Sequence, residues 1–271
     1  MSRWARYGPG RLIVHLALLL LLGTPAAASP ERPLVWALGD SLTAGYGLPP
    51  AQGFTRRLQE SLRRSGVPAE VRNGGVSGDT AAQGRARLLW GLRGLKARPD
   101  LVLVELGAND MLRGLPPEQT EANLDRILTE LKRRGVPVLL AGMRAAPNLG
   151  PAYRARFEAI YPRLARKHGV PLYPFFLDGV AGDRALFQAD GLHPNARGVD
   201  VVVRRITPAV RRALLRSSPG GGGGPPRLFG AVVEGRPRSR AEALRPQPAT
   251  PLRHRCAMPP PLAGEDREVR N

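Results

Sequence analysis

The sequence predicts an α/β fold, a parallel sheet covered by helices on both faces. Three observations predict it. Short apolar runs alternate with stretches of helical periodicity, and strand–helix alternation argues for a parallel sheet. The apolar runs are nearly continuous, as in strands buried on both sides. Glycine closes most of the helical stretches, where it takes the left-handed conformation freely.

Residues 1–28 read as a secretory signal peptide. Arg3, Arg6 and Arg11 precede the apolar run "LIVHLALLLLLG" (12–23), and "AAAS" (26–29) offers a small-residue cleavage site after Ala28. That run is short of the ~20 residues a membrane anchor needs. No cysteine follows the site, which argues against a lipid anchor. The expected location is therefore the periplasm, with secretion as the alternative.

Residues 29–215 form the expected domain. The candidate strands are "LVWAL" (34–38), "AEVRN" (69–73), "LVLVEL" (101–106), "VPVLLAGM" (136–143) and "VPLYPF" (170–175). Between them, Phe54, Leu58 and Leu62 form one helical stripe, stopped by Gly66 and Pro68. Leu124, Ile127, Leu128 and Leu131 form a second, closed by Gly135. Tyr153, Phe157, Ile160 and Leu164 form a third, closed by Gly169. Val199, Val202, Val203, Ile206 and Val210 form the last. Residues 216–271 break the pattern. "SSPGGGGGPP" (217–226) has linker composition, and the Arg-, Pro- and Ala-rich remainder reads as a disordered tail.

Composition narrows the function classes. The chain carries 41 Lys+Arg against 22 Asp+Glu, a net charge of +19. These charges are spread out, with no block resembling a nucleic-acid arm. Weak contact with anionic lipid surfaces is the more modest inference. The single cysteine, Cys256, excludes an intramolecular disulfide and a Cys-based metal site. No GxGxxG or P-loop pattern occurs, so no nucleotide cofactor is expected. No metal or other cofactor is expected, and no obligate protein partner is evident.

In parallel α/β sheets, functional residues sit at the carboxyl ends of strands. Here those ends read Gly39-Asp40-Ser41, "NGGVSGDT" (73–80) and "GAND" (107–110), and "DGLHPN" (190–195) follows late in the domain. Ser41, Asp79 or Thr80, and Asn195 are also suitable helix N-caps, but caps alone do not explain the whole set. His193 is the one histidine on a loop with an acid three residues before it, Asp190. A serine nucleophile needs a base at its hydroxyl, and the base needs an orienting acceptor. Ser41, His193 and Asp190 meet that requirement. Attack on an acyl carbon also needs oxyanion donors. The candidates are the Ser41 and Gly78 backbone N–H groups and the Asn109 side chain. The motif is not the G-x-S-x-G elbow, because Thr43 stands where the second glycine would be.

Taken together, "GDSLTAGYG", "SGDT", "GAND" and "DGLHP" resemble the four ordered blocks of the GDSL, or SGNH, hydrolase family, over roughly residues 34–215. "VLVELGANDMLRGLPPEQTEANL" (102–124) and "AIYPRLARKHGVPLYPFF" (159–176) resemble its periplasmic thioesterase I/lysophospholipase/arylesterase branch. The resemblance implies a three-layer α/β/α sandwich with a flavodoxin-like five-stranded parallel sheet. It implies Ser41 as nucleophile, His193 as base, Asp190 as its partner, and Gly78 and Asn109 joining Ser41 in the oxyanion hole. The implied substrate is a small-molecule acyl ester or thioester. Met111, Leu112, Leu115, Ala145, Ala146, Pro147 and Leu149 follow strand ends, where they either line an acyl groove or anchor loops. The rival functions are an O-deacetylase for sugars or other small esters and a non-catalytic binding module.

Overall fold

The computed structural model describes residues 32–217. The signal peptide and nearly all of the expected tail lie outside them. Five parallel strands are present: β1 (Leu34–Gly39), β2 (Glu70–Gly75), β3 (Leu101–Glu105), β4 (Val138–Ala141) and β5 (Leu172–Tyr173). Their order is β2-β1-β3-β4-β5, the flavodoxin-like order. The expected fold class is therefore the observed one. The helices are α1 (Ser41–Ala44), α2 (Phe54–Arg64), α3 (Ala81–Arg93), α4 (Ala108–Leu112), α5 (Pro117–Arg133), α6 (Gly150–Glu158), α7 (Ile160–His168) and α8 (Ala196–Ser217).

The order dictates the layers. From β1 the chain moves one way to β2, then reverses to β3, β4 and β5. Right-handed crossovers in opposite directions put their helices on opposite faces. Accordingly α2 packs with α8, while α3 packs with α5 and α5 with α7. The reversal leaves a crevice between β1 and β3 at their carboxyl ends, where ligands bind in open α/β sheets.

Burial follows strand position. Every residue of β3 and β4 is buried, and so is β1 apart from Leu34. The edge strands depart from the expected burial: Arg72 and Asn73 of β2 are exposed, and β5 is half-buried. An edge strand has a neighbour on one side only, so it is less covered.

Two helical expectations need correction. The stripe from Tyr153 to Leu164 is two helices, α6 and α7, meeting at Ala159. Pro162 is the cause. It has no N–H, and its ring crowds the carbonyl four residues back, so it fits best in a helix's first turn, where it stands in α7. At the other end, α8 runs through Ser217, two residues into the expected tail.

Candidate active site

Ser41 opens α1 directly after β1. The N-cap is Asp40, not Ser41: the Asp40 Oδ1 accepts from the Leu42 N–H at 3.0 Å. Ser41 is thus the first helical residue, whose N–H has no partner within the helix. Thr80 caps α3 in a reciprocal capping box with Gln83, and Asn195 caps α8 by accepting from the Gly198 N–H. The cap reading therefore holds for Thr80 and Asn195 and shifts by one residue at Ser41.

The loop bearing Asp190 and His193 is a small hairpin. Phe187 and Pro194 form an antiparallel bridge, and the Gln188 N–H donates to the His193 carbonyl at 2.8 Å. Arg184 donates to the Gln188 and Ala189 carbonyls across its mouth. The Gln188 Nε2 also donates to the Tyr46 carbonyl at 2.8 Å, fastening this loop to the turn after α1. Residues 152 apart in sequence meet as a result: His193 Nε2 lies 2.9 Å from Ser41 Oγ.

Behind the ring, His193 Nδ1 lies 2.6 Å from Asp190 Oδ2. The Asp190 Oδ1 accepts from the Leu192 and His193 N–H groups at 2.9 and 3.1 Å. These bonds, the imidazole's first, hold the Asp190 carboxyl down at about 2. It is ionised and can only accept, so Nδ1 carries the ring proton. That leaves the lone pair of Nε2 to accept from the Ser41 hydroxyl. The Tyr46 ring leans over the imidazole, with centroids 4.6 Å apart.

Gly78 stands in a turn at φ +87°, a conformation that costs most residues strain. The Arg113 Nη2 donates to its carbonyl at 2.8 Å. Among the described residues, no acceptor takes the Ser41 or Gly78 N–H. Asn109 differs. Its Nδ2 donates both to Asp40 Oδ2 at 3.2 Å and to the Asp79 carbonyl at 3.1 Å. Both amide hydrogens are engaged, so donation to an oxyanion requires exchanging one of these acceptors.

A layer of acids that sequence reasoning did not single out supports these groups. Glu105 ends β3 fully buried. Its Oε2 accepts from the Thr43 Oγ1 at 2.8 Å, and its Oε1 has no partner. Burial, then the Asp40 charge, pushes its carboxyl well above the usual range. Burial also raises Asp40, to about 6, against the pull of the Leu42 N–H. Two adjacent buried carboxyls do not both ionise readily. Glu105, fully buried and without the His193 charge and Asn109 amide that pull Asp40 down, is the protonated one. Buried Asp110 accepts from the Ala81 N–H at 2.8 Å and the Thr120 Oγ1 at 3.1 Å, tying α4 to α3 and α5. The signal for Glu105 was an acid closing an otherwise apolar strand. Gln188 and Arg113 carried none.

The seven candidate groove residues divide. Met111 and Ala145 are buried in the core, where they pack rather than line a surface. Leu112 and Pro147 are exposed, and Leu115, Ala146 and Leu149 are half-buried. Among the described residues no cluster of His, Cys, Asp and Glu could hold a metal, and no helix is long and apolar enough to cross a membrane.

The chain is similar to several known esterases and thioesterases. Esterase TesA of Pseudomonas aeruginosa is 38% identical over 203 residues, which cover 75% of this chain and 98% of the relative. Thioesterase 1/protease 1/lysophospholipase L1 of Escherichia coli is 42% identical over 182 residues, 67% of this chain and 84% of the relative. Among solved structures, the SGNH-hydrolase family esterase AlinE4 is 47% identical with a TM-score of 0.59, covering 69% of this chain and 99% of its own. The crystal structure of TesA superposes with a TM-score of 0.63 at 38% identity, covering 66% of this chain and 99% of its own. The family model for GDSL-like lipases and acylhydrolases matches residues 37–201, a span that takes in Ser41, Gly78, Asn109, Asp190 and His193, and the chain belongs to that family.

Proposed function

We propose that the protein is a serine esterase that hydrolyses carboxylic esters and thioesters through an acyl-enzyme. The observation that carries this reading is the Ser41–His193–Asp190 relay at 2.9 and 2.6 Å. Ser41 Oγ attacks the acyl carbon while His193 Nε2 takes its proton. The tetrahedral oxyanion is held by the Ser41 and Gly78 N–H groups and by Asn109, which releases one of its present acceptors. The imidazolium, stabilised by Asp190, then protonates the departing alcohol or thiol. Water, deprotonated by the same imidazole, attacks the acyl-Ser41 ester. The acid leaves and the serine is restored. No metal or cofactor enters any step.

The acyl chain lies along the accessible residues Leu112, Leu115, Ala146, Pro147 and Leu149. The signal-peptide pattern supports export to the periplasm. The experiment is hydrolysis of p-nitrophenyl esters from acetyl to palmitoyl, with Ser41→Ala alongside. Serine-dependent turnover favouring medium or long chains is expected. Turnover confined to acetyl would point to an O-deacetylase. No serine-dependent turnover at any length overturns the esterase reading.

A further inference from the structure

α3 does not hide its apolar surface. Ala81, Gly84 and Leu88 are buried on its inner side. Yet the outer side presents Ala82, Ala86, Leu89 and Trp90 to solvent, with Trp90 76% exposed. A surface helix normally carries polar residues there. A lone exposed apolar residue needs no explanation, but an exposed Trp beside an exposed Leu, on a face with no acid, does.

The charge around that face has one sign. Residues 81–99 contain Arg85, Arg87, Arg93, Lys96 and Arg98, and no Asp or Glu. Arg87 is committed to Asp79, and Arg98 to the Gly135 carbonyl. Arg85, Arg93 and Lys96 are in no ion pair among the described residues, and Arg93 gives only its Nε to a backbone group, the Leu89 carbonyl at 3.2 Å. The neighbouring helix offers them nothing: Glu118, Glu121, Asp125 and Glu130 of α5 pair with Arg156, Arg163, Lys167 and the Arg133–Arg134 pair. Asp100, at the far end, accepts from the Leu34 N–H.

We propose that the outer face of α3 docks on anionic phospholipid membranes, with Trp90 and Leu89 entering the headgroup region and Arg85, Arg93 and Lys96 meeting lipid phosphates. Tryptophan favours the membrane–water interface. Cations near an anionic leaflet are attracted to it, and stable peripheral attachment needs both contributions. A second copy of the chain is a poor occupant, because it would bring an identical set of cations against this one. Trp90 lies nine residues along α3 from Ala81, roughly 14 Å by helical rise, so docking leaves the Ser41 end of the helix open. The inference does not rest on the esterase reading.

Trp90 serves as the probe: of the chain's three tryptophans, Trp36 is buried and Trp4 belongs to the expected signal peptide. The difference in emission between the full chain and its Trp90→Phe variant isolates the Trp90 signal. It is measured with phosphatidylcholine vesicles, with and without phosphatidylglycerol. A blue shift on the anionic vesicles alone is expected. Affinity for those vesicles falls about tenfold in Trp90→Ala, and comparably in Arg93→Gln combined with Lys96→Gln, with circular dichroism unchanged. Four outcomes overturn the proposal. One is no Trp90 shift with vesicles. Another is an equal shift on phosphatidylcholine alone. A third is parental vesicle affinity in folded Trp90→Ala. The last is a lipid-free shift that grows with protein concentration, which would make a second copy the occupant.

Discussion

The Thr43 Oγ1 donates to Glu105 Oε2 across 2.8 Å, joining the one-turn helix that Ser41 opens to the end of β3. The joint has a pH signature. Unfolded Glu ionises near its ordinary 4.5, whereas buried Glu105 keeps its proton well above that. From about pH 4.5 upward the folded chain therefore binds more protons than the unfolded chain, and stability falls as pH rises toward the folded value. Asp40, raised from 3.8 to about 6, adds the same sign over that narrower window. Glu105→Gln keeps an acceptor for Thr43 and removes the Glu105 titration. Its Tm should fall less between pH 5 and 8 than that of the parent. Parallel melting profiles by circular dichroism would contradict the assignment.

Asp190 titrates elsewhere. Held at about 2 by His193 and two N–H groups, it stays ionised across the range in which hydrolysis would be assayed. Asp190 should therefore add no proton to the acid limb of kcat/KM. Asp190→Asn puts an amide donor opposite Nδ1 and turns the ring proton to the wrong nitrogen. A loss of about 10⁴ in kcat is expected for such a change, with KM little altered. A mild defect in the variant would count against this geometry.

The sequence carried the sheet further than the site's supports. β1 and β3 were legible because continuous apolar runs have one use in a chain of this pattern. The helix α3 was not, because Leu89 and Trp90 on its outer side blur the stripe made by Ala81, Gly84 and Leu88. Ser41, Asp190 and His193 stood out because each pairs an unusual residue type with a strand end or loop. Arg113, Gln188 and Tyr46 act through single long-range bonds or ring contacts. Such contacts leave no periodicity and no local spacing to read.

Two glycines near Ser41 should fail in different ways. At Gly39 an added Cβ would overlap the Thr43 side chain and come within 2.7 Å of Glu105 Oε2. Gly39→Ala overpacks a buried joint and should cost about 1–3 kcal/mol of stability. At Gly78 the nearest atom to an added Cβ is the Arg113 Nη2 at 3.8 Å, so space is available and only the positive φ is strained. Gly78→Ala should fold with a smaller loss, roughly 1–2 kcal/mol, and lose kcat as its N–H turns away. Chemical denaturation and kcat, measured together, separate the two. Equal stability losses would show that the turn at Gly78 is not held as described.

Asn109 joins both halves of the site, since its Nδ2 donates to Asp40 Oδ2 and to the Asp79 carbonyl. Removing the amide has two consequences with separate readouts. Asn109→Ala takes away an oxyanion donor, for which a loss of about 10²–10³ in kcat is expected. It also takes a donor from ionised Asp40, whose carboxyl must then rise further, because that bond pulls it down. The pH-dependent loss of stability attributed to Asp40 should accordingly extend to higher pH. Asn109→Asp is the sharper variant. It sets a third acid against Asp40 and Glu105, and it should be less stable than Asn109→Ala at pH 8, with the gap closing at pH 4 as the carboxyls take up protons. An Asn109→Asp chain as stable as Asn109→Ala at pH 8 would mean that the amide does not face the Asp40 charge.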